Sequence, residues 1–275
     1  SLLPADCDGD SLPAAGTPNF LLERETGALR LWEASVDWNN TSNSTITNMG
    51  TIAVQPYSNS GLSIGQPGTS QKLDNLADRL MYRVQYRKFP TYEVMVANHT
   101  VNASGTGQAG VRWYELRNTG SGWGIHQQGT YAPADGDHRW MGSIAMNANG
   151  DIALGYSVSG ASTYPSIRVA GQNAGAPAGL GVLDIPETSV LEGTNSQTGV
   201  SRWGDYAMMS FDPSDDTTFW FTTEYTSGGW NWKTRIAHFN LGVSVPQEPE
   251  ANFTADDTNP ALGQTVNFND QSLYT

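Results

Sequence analysis

Four residues in the last third of the chain have the types that break glycosidic bonds. Asp205 and Tyr206 follow Arg202, and Glu224 and Tyr225 close the next apolar run. Retaining glycosidases need two carboxyl groups about 5 Å apart, and some replace the carboxylate nucleophile with tyrosine. Glu224 beside Tyr225 would supply a base and a nucleophile. The competing reading is that acidic residues and tyrosines are common at strand ends, where adjacent side chains point to opposite faces.

A second set is Arg79, Arg139 and Arg202, spaced by about 60 residues. A planar guanidinium donates two parallel hydrogen bonds to a carboxylate, so three arginines converging on one point would clamp an acidic ligand. Asp78, Asp137 and Asp205 each lie within three residues of one of them, so Arg–Asp pairs tying strands together is the alternative. A third set is Asp6, Asp8 and Asp10 in "DCDGD", where alternating carboxylates in a Gly-containing loop suit a hard cation such as Ca²⁺. Position 17 is Thr where an EF-hand would carry its last Glu. Asp212, Asp215 and Asp216 form a similar acidic turn. Either turn would otherwise use its Asp side chains to cap backbone N–H groups. His99, His126, His138 and His238 are scattered without the paired spacing of a catalytic zinc site.

The elements around these residues recur. From Arg79, Arg139 and Arg202 the chain runs through two short apolar segments separated by a turn: "MYRVQY" and "YEVMVANHTV", "GSIAM" and "DIALGYSV", "YAMMSF" and "TFWFTTEY". Such runs, bounded by Gly, Pro, Asp and Asn, are paired strands. A further strand with an embedded arginine recurs out of phase, in "ALRLWEASV", "GVRWYELRN", "YPSIRVAGQ" and "WKTRIAHFN". An outer strand can follow, as in "SGWGIHQQGTYAP". Three to four antiparallel strands per repeat, about four repeats in all, predict an all-β fold of propeller blades. "QKLDNLADRLMYRV" has helical spacing, and in register with the other repeats it should give at most a helical turn before a strand from about Leu80. Residues 241–250, "LGVSVPQEPE", read as a stiff linker. Residues 251–275 then read as the first two strands of another domain, too short to bury a core.

Thirty glycines, fourteen prolines and nine tryptophans accompany only 15% charged residues, a composition of strands and tight turns. The net charge of −13 disfavours nucleic acid and anionic membrane surfaces. No apolar stretch is long enough to span a bilayer. Cys7 is the only cysteine, so no internal disulfide forms.

The segments "DRLMYRVQY", "GVRWYELR", "HRWMGSIAMNANGDIALGYSVS", "YPSIRVAG" and "SRWGDYAMMSFDPSDDTTFWFTTEY" resemble the sialidase-like (BNR-type) β-propellers of large secreted bacterial proteins. "ANFTADDTNPALGQTVNFNDQS" resembles the start of a PKD domain, an immunoglobulin-like β-sandwich. The resemblance implies a six-bladed propeller of which residues 1–240 form the C-terminal part, and an extracellular or cell-surface location. The Asp-box of true sialidases is absent; "SFDPSDDTTFW" only echoes it. The expected function is therefore a non-catalytic module for binding or assembly. Its partner would be a glycan, a matrix polymer or another copy of the chain, with Trp123 and Trp230 stacking on sugars. A sialidase-like hydrolase acting on a carboxylated sugar, and a structural spacer, are the alternatives.

Overall fold

A computed structural model describes residues 1–205, 207–241, 253–257 and 259–270. Tyr206, most of the expected linker and part of the PKD-like segment lie outside the described residues. Among those described, regular structure is strand apart from one short 3-10 turn at Thr41–Asn43.

Four successive antiparallel meanders make up the body. The first contains β1 (Leu2–Asp8), β2 (Asn19–Glu25), β3 (Ala28–Ser35) and β4 (Thr45–Ala53). The second contains β5 (Val84–Lys88), β6 (Glu93–Asn102), β7 (Ala109–Asn118) and β8 (Trp123–Tyr131). The third contains β9 (His138–Met146), β10 (Ile152–Ser159), β11 (Ser166–Gln172) and β12 (Ile185–Leu191). The fourth has three strands, β13 (Met208–Phe211), β14 (Phe219–Thr226) and β15 (Trp232–Phe239). A separate hairpin follows, β16 (Phe253–Ala255) with β17 (Phe268–Asp270).

This is the arrangement of β-propeller blades. Each meander begins with a strand at one edge, and these edges meet. β1 pairs with β5 in parallel, Ala5 opposite Val84 through Asp8 opposite Arg87. From β5, Gln85 and Arg87 donate to the carbonyl of Met146 at the end of β9 (3.1 Å each), and Arg83, the residue before β5, donates to that of Met209 on β13 (3.3 Å). Apolar layers fill the spaces between blades. Phe20, Leu22 and Leu29 pack against Tyr86, Met95 and Tyr114. Val96, Val111 and Trp113 pack against Ile144, Leu154 and Tyr156. Ala153, Ile167 and Val169 pack against Met209, Phe219 and Phe221. Burying such rings and branched chains drives the stacking, at about 25 cal/mol per Å² of apolar surface removed from water. Gly155 shows how close the blades come: a Cβ there would lie 2.7 Å from the Phe221 ring.

The segment "QKLDNLADRL" forms no helix, and its strand begins at Val84 rather than Leu80. Its apolar residues are used in another way. Ile64, Leu73 and Met81 fold over Trp140, Met141 and Trp203 as a fourth buried cluster at one end of the blades. The helical spacing of Leu73, Leu76, Ala77 and Leu80 thus records burial of a compact loop.

Candidate functional site

The fourth blade carries an open cavity of about 450 Å³, lined by Arg202, Asp205, Glu224, Trp230 and Trp232, with Thr222 and Thr234. Strand alternation selects these side chains. On β14, Phe219, Phe221 and Thr223 are buried, while Thr222 and Glu224 face away. Register then places Thr234 opposite Glu224, and Trp232 opposite Thr226. The turn between β14 and β15 uses Gly228 and Gly229, both at positive φ, and leads directly into Trp230.

The other wall is the segment before β13. Trp203 is its anchor: the ring is buried beside Trp140, 6.2 Å between centroids, and its N–H donates to Ser157 Oγ at 3.0 Å. Gly204 follows at φ 62°, a conformation that favours glycine, and any Cβ there would crowd Met141 at 3.0 Å. That bend turns the Gly204 N–H onto Glu224 Oε1 at 2.7 Å and leaves Asp205 beside it.

The two carboxyl groups are treated differently. Asp205 pairs with Arg202 through Oδ2, and its Oδ1 is buried with no hydrogen-bond partner. Glu224 has no ion-pair partner among the described residues. Burial raises its pKa above the ordinary carboxylate value; the Gly204 N–H opposes that shift and the neighbouring Asp205 charge adds to it. A half-buried carboxyl that favours its proton, next to a second carboxylate, is the electrostatic pattern of an acid–base pair.

The remaining sequence candidates are placed as follows. Tyr225 turns to the opposite face and packs among the apolar residues between the third and fourth blades. The three arginines do not form one clamp. Arg139 is 1% exposed and spans Asp135 (2.5 and 2.6 Å) and Glu187 (2.9 and 3.0 Å). Arg79 is held by both oxygens of Asp78 at 2.9 Å, in a loop whose charge reaches Asp205. Only Arg202 lines the cavity, and it sits at the surface rather than near the axis.

Asp6 and Asp8 are strand residues of β1, not loop ligands, and both accept from Arg83. Asp212 and Asp215 cap backbone N–H groups of their own turn: Ser214 on Asp212, and Thr217 and Thr218 on Asp215. Asp216 pairs with Arg87 at 2.5 and 2.7 Å. Among the described residues no cluster of three or more His, Cys, Asp or Glu has the arrangement to hold a metal ion. Trp123 packs against Phe20, 5.1 Å between centroids, and belongs to the core, whereas Trp230 is open.

Sequence reasoning missed the residues along the axis. Arg83, Gln85 and Arg87 alternate within "YRVQYRK", and that period of two is the signal that they share one face. It also missed Trp232, whose exposure follows only from its place on the uncovered face of β15.

No protein family matches the chain, and no curated protein is similar to it. Among solved structures it is similar to a GH43 endo-arabinanase from Bacillus licheniformis, at 10% identity and a TM-score of 0.38, over 97% of this chain and 96% of that one. It is also similar to an alpha-L-arabinofuranosidase from Lactobacillus brevis, at 8% identity and a TM-score of 0.41, over 92% and 79%. These similar structures are GH43-type and arabinofuranosidase enzymes rather than sialidases. The expectation of a non-catalytic binding module is corrected to this extent: both similar structures bear the names of glycosidases. At these TM-scores no residue role and no substrate passes from those enzymes to this chain.

Proposed function

We propose that this protein is a glycoside hydrolase whose reaction takes place in the cavity of the fourth blade. The observation that carries this reading is Glu224, half-buried with a raised pKa, beside Asp205 on one cavity wall. Glu224 is the general acid. It gives its proton to the glycosidic oxygen as the bond to the anomeric carbon breaks, which turns an alkoxide into a neutral leaving group. Asp205 supplies the second carboxylate, which balances the positive charge growing on the sugar ring. Water then bonds to the anomeric carbon, and its spare proton returns to Glu224. Gly204 orients the acid through its N–H to Oε1, and Arg202 orients Asp205.

Glu224→Gln tests the assignment. Removing a general acid costs about 10²- to 10⁴-fold in kcat. The loss should appear on oligosaccharides, whose leaving alcohols need protonation, and largely vanish on 4-nitrophenyl glycosides, whose leaving group does not. Reducing-sugar release and nitrophenol release from a panel of pentosides and hexosides measure the two. Equal loss on both substrates removes the acid role from Glu224. Absence of cleavage by the wild-type chain across the panel sinks the hydrolase reading.

One feature supports a setting outside the cell: the hairpin of β16 and β17 fits the start of a PKD-like β-sandwich, as its sequence suggests. No helix among the described residues is long and apolar enough to cross a membrane.

A further inference from the structure

The cavity is lopsided. Its β15 side presents two indoles to water, Trp230 at 65% and Trp232 at 56% exposure. On the opposite face of the same blade Phe219, Phe221 and Phe239 are covered. Trp232, Thr234 and Glu224 share one face of the β14–β15 pair, and Trp230, from the turn before β15, lines the same cavity as the carboxyl pair. An indole combines a flat apolar face with an N–H donor, which matches the C–H face and hydroxyl rim of a sugar ring.

The charges point the same way. Arg202 is the cation of the lining, and Asp205 already occupies it. In the adjoining loop Asp78 occupies Arg79. A substrate carboxylate that captured Arg202 would leave Asp205 without its cation beside Glu224. With Glu224 holding its proton and Asp205 occupying Arg202, the lining has no free cation for a uronic or sulfated sugar, and the chain's net charge of −13 repels such polymers.

We propose that the cavity takes a neutral glycan chain of at least two sugar units, stacked on Trp230 and Trp232, with Thr222 and Thr234 offering hydroxyls to its rim. The proposal rests on the hydrolase reading only for where the chain is cut; the stacking stands without it.

Affinity electrophoresis of the 275-residue chain through gels containing mixed-linkage β-glucan, linear galactan or galactomannan tests it, with polygalacturonate and alginate as anionic probes. At least one neutral polymer should retard the wild type, and neither anionic one should, at low or high salt. Trp230→Ala and Trp232→Ala should each weaken retention about tenfold, the effect of uncovering one stacked ring face. Their melts should match the wild type because both rings are exposed. Retention by polygalacturonate or alginate overturns the neutral-chain assignment. Unchanged retention of both tryptophan variants, or no retention of the wild type by any neutral polymer, overturns the platform. Tryptophan-dependent retention in a chain without hydrolytic activity supports the platform and fails only the hydrolase reading.

Discussion

The axis of the blades and the cavity of the fourth blade are built from the same residue types with opposite results. At the axis Arg83 is 2% exposed and bonds Asp6, Asp8 and the Met209 carbonyl, while Gln85 donates to Asp8 and exchanges hydrogen bonds with Met146. Arg87 reaches Asp216 and the Met146 carbonyl. Every charge there has a partner from elsewhere in the fold, so the network joins all four blades and leaves nothing to react. In the cavity Arg202 is 71% exposed and serves Asp205 alone, and Glu224 is left with a single backbone N–H. An arginine–aspartate pair in a sequence therefore says little about function. Function follows from which carboxyl is left over, and from how much water it has lost.

That contrast is broken most directly at Arg83. Arg83→Met takes the cation from Asp8, which keeps only the Gln85 amide, and from half-exposed Asp6, and should cost about 3 kcal/mol, the low end for removing one partner of a buried pair. Urea denaturation measures it, and adding Asp8→Asn should recover part of the loss. No change in midpoint would deny the axis its structural role.

A smaller effect is expected from Glu224, and it has a sign. Because its folded pKa is raised, the native state holds the proton at pH values where the unfolded chain has lost it. The stability this group contributes is complete below the ordinary carboxylate range and is lost as pH rises through the folded value. Glu224→Gln should flatten that part of the stability–pH curve. A wild-type curve that rises across the same window would contradict the burial argument.

Arg202→Met should have the smallest effect on stability, under about 1 kcal/mol, since an exposed ion pair contributes little. Differential scanning calorimetry checks it. A loss as large as that of Arg83→Met would move Arg202 from the cavity to the framework.

Much of the blade structure was legible in the sequence. "YEVMVANHTV", "GVRWYELRN", "DIALGYSV" and "TFWFTTEY" coincide with β6, β7, β10 and β14, because apolar runs punctuated by Gly, Asn and Asp leave a chain few options other than hairpins. The repeated Arg-Trp pair was legible only in part. Trp140 and Trp203 are buried alike and touch, yet Arg139 is enclosed by Asp135 and Glu187 while Arg202 faces water. Identical local pairs diverged because the covering side chain differs: Glu187 comes from β12, at the opposite edge of the third blade from β9, and the fourth blade has no corresponding strand among the described residues. "DCDGD" misled for a similar reason. Its alternation looked like a ligand loop, and the parallel pairing with β5 made Asp6 and Asp8 into ladder residues facing Arg83.

The sequence by itself determined the strands, the turns and the repeat, because these depend on contacts between residues close in the chain, where period and punctuation are visible. It also placed Asp205 and Glu224 among the candidates by type. Only the tertiary structure decided that Tyr225 is packing, that Arg139 is framework, and that Glu224 is the carboxyl without a cation. Those outcomes depend on which strand from a distant part of the chain covers each side chain. Desolvation and ion pairing are set by that cover, and residue type alone carries no record of it.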